Sequence, residues 1–214
     1  MNKPLIMLGA GGHASVLVDV LRSQGRVPFA LAAPTLDETR CVLSCIEFWD
    51  DESRILDYDP NDVELINGIG SLPGNFLRAQ LFARYHALGY RFAQVISKQA
   101  IISDYAVLDE GVQVMSGAII QAGTRIGQNS IINTGAILDH DCHINKNNHI
   151  APGVVLSGGV VTGEGVHIGT GASVIQSISI GAYSVVGAGA TLTRNLNENQ
   201  IIYAARGSVM PIKH

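Results

Sequence analysis

Charge is scarce in this chain. Only 15% of its 214 residues are Asp, Glu, Lys or Arg. So few charges cannot coat a whole monomer surface, which points to surface hidden in an oligomer. The net charge of −4 lacks the basic excess that nucleic acid or an anionic membrane would ask of a main partner. Cysteine is scarce too, with only Cys41, Cys45 and Cys142. An odd, sparse set is a poor disulfide framework. Cys41 and Cys45 have no second pair to complete a zinc site, so all three are expected to be packing residues. Long apolar runs are also missing. The opening MNKPLIMLGAGGHA is too short in apolar residues for a signal peptide, and nothing approaches the ~20 residues of a membrane span. A cytoplasmic protein is expected. Two things are plentiful, hydrophobic residues at 47% and glycines at 24. High glycine with low charge suits a fold with many tight corners.

The hydrophobic residues carry an uncommon period. Counting in sixes from Ile96 gives Ile102, Leu108, Val114, Ile120, Ile126, Ile132, Leu138, Ile144, Ile150, Leu156, Thr162, Ile168, Val174, Ile180, Val186 and Leu192. Only Thr162 breaks the series. Four residues after each a small or β-branched residue is usual, as in Ala100, Ala106, Val112, Ala118, Thr124, Ser130, Ala136 and Cys142. Six fits neither a helix nor a plain strand. It is the repeat of a hexapeptide parallel β-helix, in which three hexads close one triangular coil. Each aliphatic residue then stacks on the one 18 positions later, and the core exists only between neighbouring coils. The run has no insertions and predicts about five coils. Such helices are left-handed, against the usual hand of crossovers; that comes from the fold's known form, not from these residues.

Ahead of the repeat the pattern is α/β. Leu5–Leu8 reads as a strand, Gly9-Ala-Gly-Gly-His13 as a glycine loop, and Ser15–Gln24 as a helix closed by Gly25. Glycines at that place let a backbone approach a phosphate at a helix N-terminus, although the match to G-x-G-x-x-G is partial. Phe29–Ala32 and Val63–Asn67 read as strands, and Asp50–Leu56 as a short acidic helix. Gly68-Ile-Gly-Ser71 forms a second glycine turn. Asn75–Leu88 reads as an amphipathic helix with Phe76, Leu77, Leu81, Phe82, Tyr85 and Leu88 on its apolar side. The predicted architecture is an α/β N-terminal module plus an all-β left-handed parallel β-helix. Residues 1–94 form a small βαβαβ domain, 95–196 the β-helix and 197–214 a C-terminal cap.

Four histidines fall in the repeat. His143, His149 and His167 each precede an inward aliphatic residue and so point outward; His149 and His167 are one coil apart and should stack. His140 lies at a corner between Asp139 and Asp141. Two chemistries are open to such residues. Outward histidines on neighbouring coils could bind zinc, as in β-helical carbonic anhydrases. Alternatively, a histidine held by a carboxylate serves as a general base. His140 reads as the base, and His143 and His167 as surface residues.

The glycine loop Gly9–His13, the turn Asn67–Ser71, the run Ile132-Asn-Thr-Gly-Ala-Ile-Leu-Asp-His-Asp-Cys142 and Asn148–Gly153 together resemble the bacterial hexapeptide-repeat sugar O/N-acyltransferases. These are of the sialic-acid O-acetyltransferase type, with the N-acetyltransferases of UDP-4-amino-sugars and GDP-perosamine. The resemblance spans almost the whole chain. It implies a homotrimer with acetyl-CoA in the groove between adjacent β-helices and a nucleotide-sugar acceptor at the N-terminal module, with no metal. It implies that His140 deprotonates the acceptor and Asp141 orients its ring. By the same carry-over His149, Gly158, Thr170, Gly187 and Ala188 serve the oxyanion and acetyl-CoA. The nucleotide-sugar falls to Gly9, Gly11, Gly12, His13, Gly70, Ser71, Asn133 and Asp139. The chain departs from the family at two places. Ala32-Ala33 stands for the usual Asp-Asp, and Tyr203-Ala-Ala-Arg206 for Gly-x-Pro-Ala-Arg, so UDP, GDP and dTDP stay open. The expected activity is acetyl-CoA-dependent N-acetylation of a nucleotide-linked amino-sugar. O-acetylation of a sialic acid, a metal-dependent hydratase and a non-catalytic scaffold are the alternatives.

Overall fold

The computed structural model describes residues 3–205. The first part is a five-stranded parallel sheet built from β1 (Leu5–Leu8), β2 (Ala30–Ala32), β3 (Glu47–Trp49), β4 (Glu64–Asn67) and β5 (Arg91–Phe92). Its order is β3-β2-β1-β4-β5, so chain direction across the sheet reverses between β1 and β4. Buried on both faces, the strands read as short continuous apolar runs. Helix α1 (Gly12–Arg22) packs Ala14, Leu17, Val18 and Leu21 on one face. Helix α2 (Leu77–Ala87) packs Leu81, Phe82 and Tyr85 on the other.

Helix α1 begins three residues earlier than its sequence suggests, so His13 lies in its first turn rather than in the loop. Gly25 at φ +71° ends it, with Arg26 N–H returning to Leu21 O at 3.0 Å. The buried side of α2 also differs from the expectation. Phe76, Leu77 and Leu88 are exposed, and Arg78 is buried in their stead. Its guanidinium donates to Asn67 O (2.8 Å), Ile69 O (2.7 Å) and Asn129 O (3.1 Å). Burial lowers its pKa to about 9, so it remains a cation at neutral pH. This arginine ties the second glycine turn to the β-helix. Two 3₁₀ turns, Cys41–Leu43 and Glu52–Asp57, complete the module. Cys41 and Cys45 are exposed, against the expectation that they pack; Cys142 is buried as expected.

From Val95 the chain winds as a left-handed parallel β-helix of two-residue strands. Three parallel sheets run up its sides, and each strand pairs with the one eighteen residues on, as Ile119 with Ile137 and Ile137 with Val155. The inward hexad residues form one continuous core from Val114 to Leu192, and Thr162 fits because its Oγ1 accepts Asn145 N–H at 3.2 Å. Strand Ile201–Ile202 adds a last member to one ladder by pairing with Val185–Val186. Of the segment expected as a cap, residues 206–214 lie outside the described residues.

The first face carries Gln113, Ile131, His149 and His167 outward, the second Ile119, Ile137 and Val155, and the third Arg125, His143 and Val161. Every corner from Gly111 to Gly189 turns on a residue at positive φ, three places after the inward aliphatic one. Five of these residues are not glycine: Asn129, Asp141, Asn147, Ser177 and Tyr183. The N-terminal module sits on the first face and buries Val95, Gln113 and Ile131. No described helix is long and apolar enough to cross a membrane.

Candidate active site

His140, Asp139 and Asp141 stand at the corner between the second and third faces, with the two side chains of His140 and Asp141 at 64% and 69% exposure. Asp141 is in the left-handed region, φ +59°, which aspartate tolerates better than most residues. Asp141 Oδ2 lies 2.8 Å from His140 Nδ1. A carboxylate there accepts a hydrogen bond from Nδ1–H, so the Nε2 lone pair is left free. His140 N–H donates to Asp139 Oδ1 at 2.8 Å. The bond to Asp141, then the charge of Asp139, hold the imidazole pKa above its ordinary value.

Gly158, one coil on, explains how the ring is seated. A Cβ on Gly158 would lie 2.5 Å from His140 Nε2 and 2.6 Å from Cε1. Its φ is not positive; the glycine is required because the imidazole lies over it. Gly158 N–H has no acceptor among the described residues. Cys142 follows the motif but faces inward, its Sγ near Ser157 O at 3.4 Å, and burial raises its pKa. It is no nucleophile.

His149 lies elsewhere, on the first face beneath the N-terminal module. Its Nδ1 donates to Ser71 O (3.0 Å), so Nε2 accepts from Asn133 Nδ2 (3.1 Å). The amide is oriented by Thr134 N–H, which donates to Asn133 Oδ1 (2.8 Å). The ring stacks edge-on with His167, centroids 4.8 Å apart, as the eighteen-residue spacing predicts. Burial, then His167, lowers the His149 pKa to about 3. His149 is therefore a neutral connector between Ser71 and Asn133. His13 is similar. Gln113 Nε2 donates to Asn67 O (2.8 Å), which turns Gln113 Oε1 toward His13 Nε2 at 2.7 Å. Burial lowers the His13 pKa to about 4. His167 is half-buried, not a free surface residue, and His143 is exposed.

A cavity of about 380 Å³ opens at the carboxyl ends of β1 and β2, at the reversal point of the sheet. Gly9, Gly11, Ala32, Ala33, Asp37, Arg40 and Ile69 are among its walls. Gly9 combines φ +101° with a Cβ position 2.8 Å from Ile69 Cδ1, so it serves the crossing of the two glycine turns. Gly11 has ordinary φ and open space where its Cβ would be. Gly70 stands on the second glycine turn, 3.6 Å by its Cβ position from His13 Cβ. Arg40 is a wall residue that the sequence reading missed. It pairs with Asp37 (3.3 Å) and reaches to 3.6 Å from the Cβ position of Gly12.

Thr170, Gly187 and Ala188 lie at a third location, the corner between the first and second faces, which also carries Asn133. Thr170 and Ala188 are exposed. One chain thus gathers the expected site residues into separate groups. The corner bearing His140 is the edge opposite the face covered by the N-terminal module. Among the described residues, no group of three or more His, Cys, Asp or Glu could hold a metal ion.

A hexapeptide β-helix with an exposed, carboxylate-held histidine at one corner defines an acyltransferase of the hexapeptide class. A family described as bacterial transferase hexapeptide (six repeats) matches residues 123–158. A perosamine N-acetyltransferase from Caulobacter crescentus, solved with CoA and GDP-perosamine, is 32% identical; each chain covers 92% of the other, at a TM-score of 0.83. The chain belongs to the hexapeptide-repeat sugar acyltransferase family. The acetyltransferase domain of PglB from Neisseria gonorrhoeae FA1090, solved with acetyl coenzyme A, is 27% identical over 94% of this chain and 96% of its own, with a TM-score of 0.85. WeeI from Acinetobacter baumannii AYE, 20% identical over 95% of this chain and 97% of its own, shares the fold at a TM-score of 0.82.

Proposed function

We propose that this chain transfers the acetyl group of acetyl-CoA to the amine of a nucleotide-linked 4-amino-4,6-dideoxy sugar, carried on UDP or GDP, for a bacterial surface glycan. The observation that carries this reading is His140, exposed at its corner with one nitrogen bonded to Asp141 and the other free. The relatives supply the substrate classes. The Caulobacter enzyme was solved with CoA and GDP-perosamine, including variants with a histidine replaced by asparagine or alanine, and the PglB domain with acetyl coenzyme A.

In this reading the amine nitrogen attacks the thioester carbonyl and His140 Nε2 takes the amine proton. The Gly158 N–H donates to the oxyanion, often a large term in acyl transfer. The C–S bond then breaks, and the CoA sulfur leaves as a thiol with the proton from the imidazolium. The chemistry asks for no metal. Residues 1–94 hold the nucleotide, with Gly9, Gly11, Gly12 and His13 at the diphosphate and Gly70 and Ser71 nearer the sugar, to which Asn133 and Asp139 contribute from the β-helix. His149 fixes Ser71 and Asn133, and Thr170, Gly187 and Ala188 line the path of CoA along residues 95–196. The working unit is a homotrimer. His140 stands on the edge away from its own acceptor module, so a second copy brings the acceptor. Ile101 (65% exposed), Tyr105 (80%), Val107 (45%) and Val155 (39%) form uncovered apolar surface beside that edge, suited to a neighbouring copy. Sedimentation at three chain masses is the expected result. Both substrates are cytoplasmic metabolites, and the enzyme belongs in that compartment.

Mass spectrometry tests the activity directly, with acetyl-CoA offered to a mixed panel of UDP-, GDP- and dTDP-linked amino-sugars. One acetylated acceptor names the substrate; acetylation only of sialic acids, or of nothing, sinks the proposal. Two variants refine it. Leucine at Gly11 fits the backbone and fills the cavity, so KM for the nucleotide-sugar should rise about tenfold or more while KM for acetyl-CoA holds, about 1.4 kcal/mol of binding lost. Equal changes in both would make the loop structural. Asparagine at Asp141 removes the group that raises the His140 pKa. Activity requires neutral His140 and rises as pH climbs through that pKa. In Asp141→Asn the rising limb should therefore move to lower pH while kcat falls. An unmoved limb would assign it to another group.

A further inference from the structure

We infer that Gly123, one coil before the catalytic corner, is a positioning residue for the pair His140 and Asp141, acting by the side chain it lacks. This rests on the role given to that pair above. A Cβ on Gly123 would overlap Asp141 Oδ1; the next atoms it would meet are Asp141 Cγ at 3.3 Å and Asp141 N at 3.5 Å. The carboxylate therefore occupies the volume of the missing methyl. One oxygen reaches His140 Nδ1, and the other, Oδ1, has no hydrogen-bond donor among the described residues. Steric confinement in the Gly123 slot, not a second bond, sets its position. The pair is thus seated between two glycines on the flanking coils, Gly123 on the coil before against the carboxylate and Gly158 on the coil after against the imidazole.

The corner phase provides its own comparison. Gly117, Gly135, Gly153, Gly171 and Gly189 share the positive φ of Gly123, yet a Cβ there would meet nothing closer than 3.8 Å. At those corners glycine answers to the backbone alone. At Gly123 it answers to a functional side chain as well. The charged groups around the pair are few. Asp139 is on the same corner, and Arg125 and His143 project from the adjoining third face. The coil before contributes Gln121 and Thr124, and the coils after contribute Ser157, Gln176 and Ser177, all uncharged; Asp104 stands on the same corner two coils before. Movement of the Asp141 carboxylate is accordingly the main electrical change that a methyl on Gly123 can cause.

The test compares Gly123→Ala with Gly117→Ala in full-length protein. Gly117 has φ +73° against +77° for Gly123, so both variants carry the same backbone strain. Only the first displaces the carboxylate. Nitrogen-15 NMR titration of the His140 ring needs no turnover and is read first. In wild type the pKa should lie above about 6.5; in Gly123→Ala it should fall toward that value, and in Gly117→Ala it should stay. A misplaced base should lower kcat about 10- to 100-fold, with KM for acetyl-CoA held. Combined with Asp141→Asn, Gly123→Ala should add little further loss, because both act through one carboxylate. If Gly123→Ala does not fold, Gly123→Asn, better suited to positive φ, takes its place. The inference is overturned if Gly123 and Gly117 variants titrate alike, or if the losses with Asp141→Asn are additive. A His140 pKa shift without acetyl transfer on any acceptor would separate this inference from the assigned reaction.

Discussion

Alanine at His140 is expected to lower kcat by about 10³, within the ~10²–10⁴ that a positioned base supplies. KM for acetyl-CoA and the oligomeric state should not change. The reason is where the ring lies: its side chain is 64% exposed and contributes to no core. Surface substitutions of that kind usually stay within about 0.5 kcal/mol of wild-type stability. Steady-state kinetics beside a thermal melt separate the two effects. Asparagine at the same place keeps much of the volume over Gly158 and should be as inactive as alanine. If either variant turns over at the wild-type rate, the base is another group. His149 is a poor substitute, since both its nitrogens are bonded and burial holds its pKa near 3.

The largest effect on stability is expected from Ile150→Asp. Ile150 is fully buried and pairs in register with Ile132 below and Ile168 above. An aspartate there is either charged without a partner or forced to take up a proton. It also vacates a layer of the core between two coils. Burying an unpaired charge costs several kcal/mol after relaxation, and loss of a buried isoleucine adds about 2–5 kcal/mol. The sum is comparable to the ~5–15 kcal/mol by which domains are stable. No soluble oligomer should form. A normal elution on size exclusion would mean that the inward register is wrong.

The β-helix was legible because a period of six has one structural meaning, and the register follows from it residue by residue. The stacking of His149 on His167 and the inward place of Cys142 came from the same count. The corner proposed as catalytic was legible as a motif, acid-His-acid, at a phase that faces solvent. Features made by tertiary contact were not. Counting places His149 outward, correctly, but the outside of the first face is the inside of the molecule. Arg78 sits in the buried stripe of α2 because carbonyls from a glycine turn and from Asn129 surround it, and no helical period predicts that. Arg40 reaches the cavity from a turn with no pattern at all. One signal was present and unread: the residue three after each inward aliphatic turns every corner, and where it is Asp141, and not glycine, a side chain has been put to use.

The coil also acts as a ruler. Each turn advances the chain by one strand spacing, about 4.8 Å, and returns every corner to the same orientation. The N-terminal module is fastened to fixed coils through Gln113, Asn129 and His149, and His140 falls between the last two of these anchors. The axial offset between the N-terminal module and the corner bearing His140 is therefore quantised in whole coils. Moving the acid-His-acid motif by eighteen residues would change that offset by a single step and leave His140 on the same corner. The offset between module and corner is thus set by where in the repeat the motif falls.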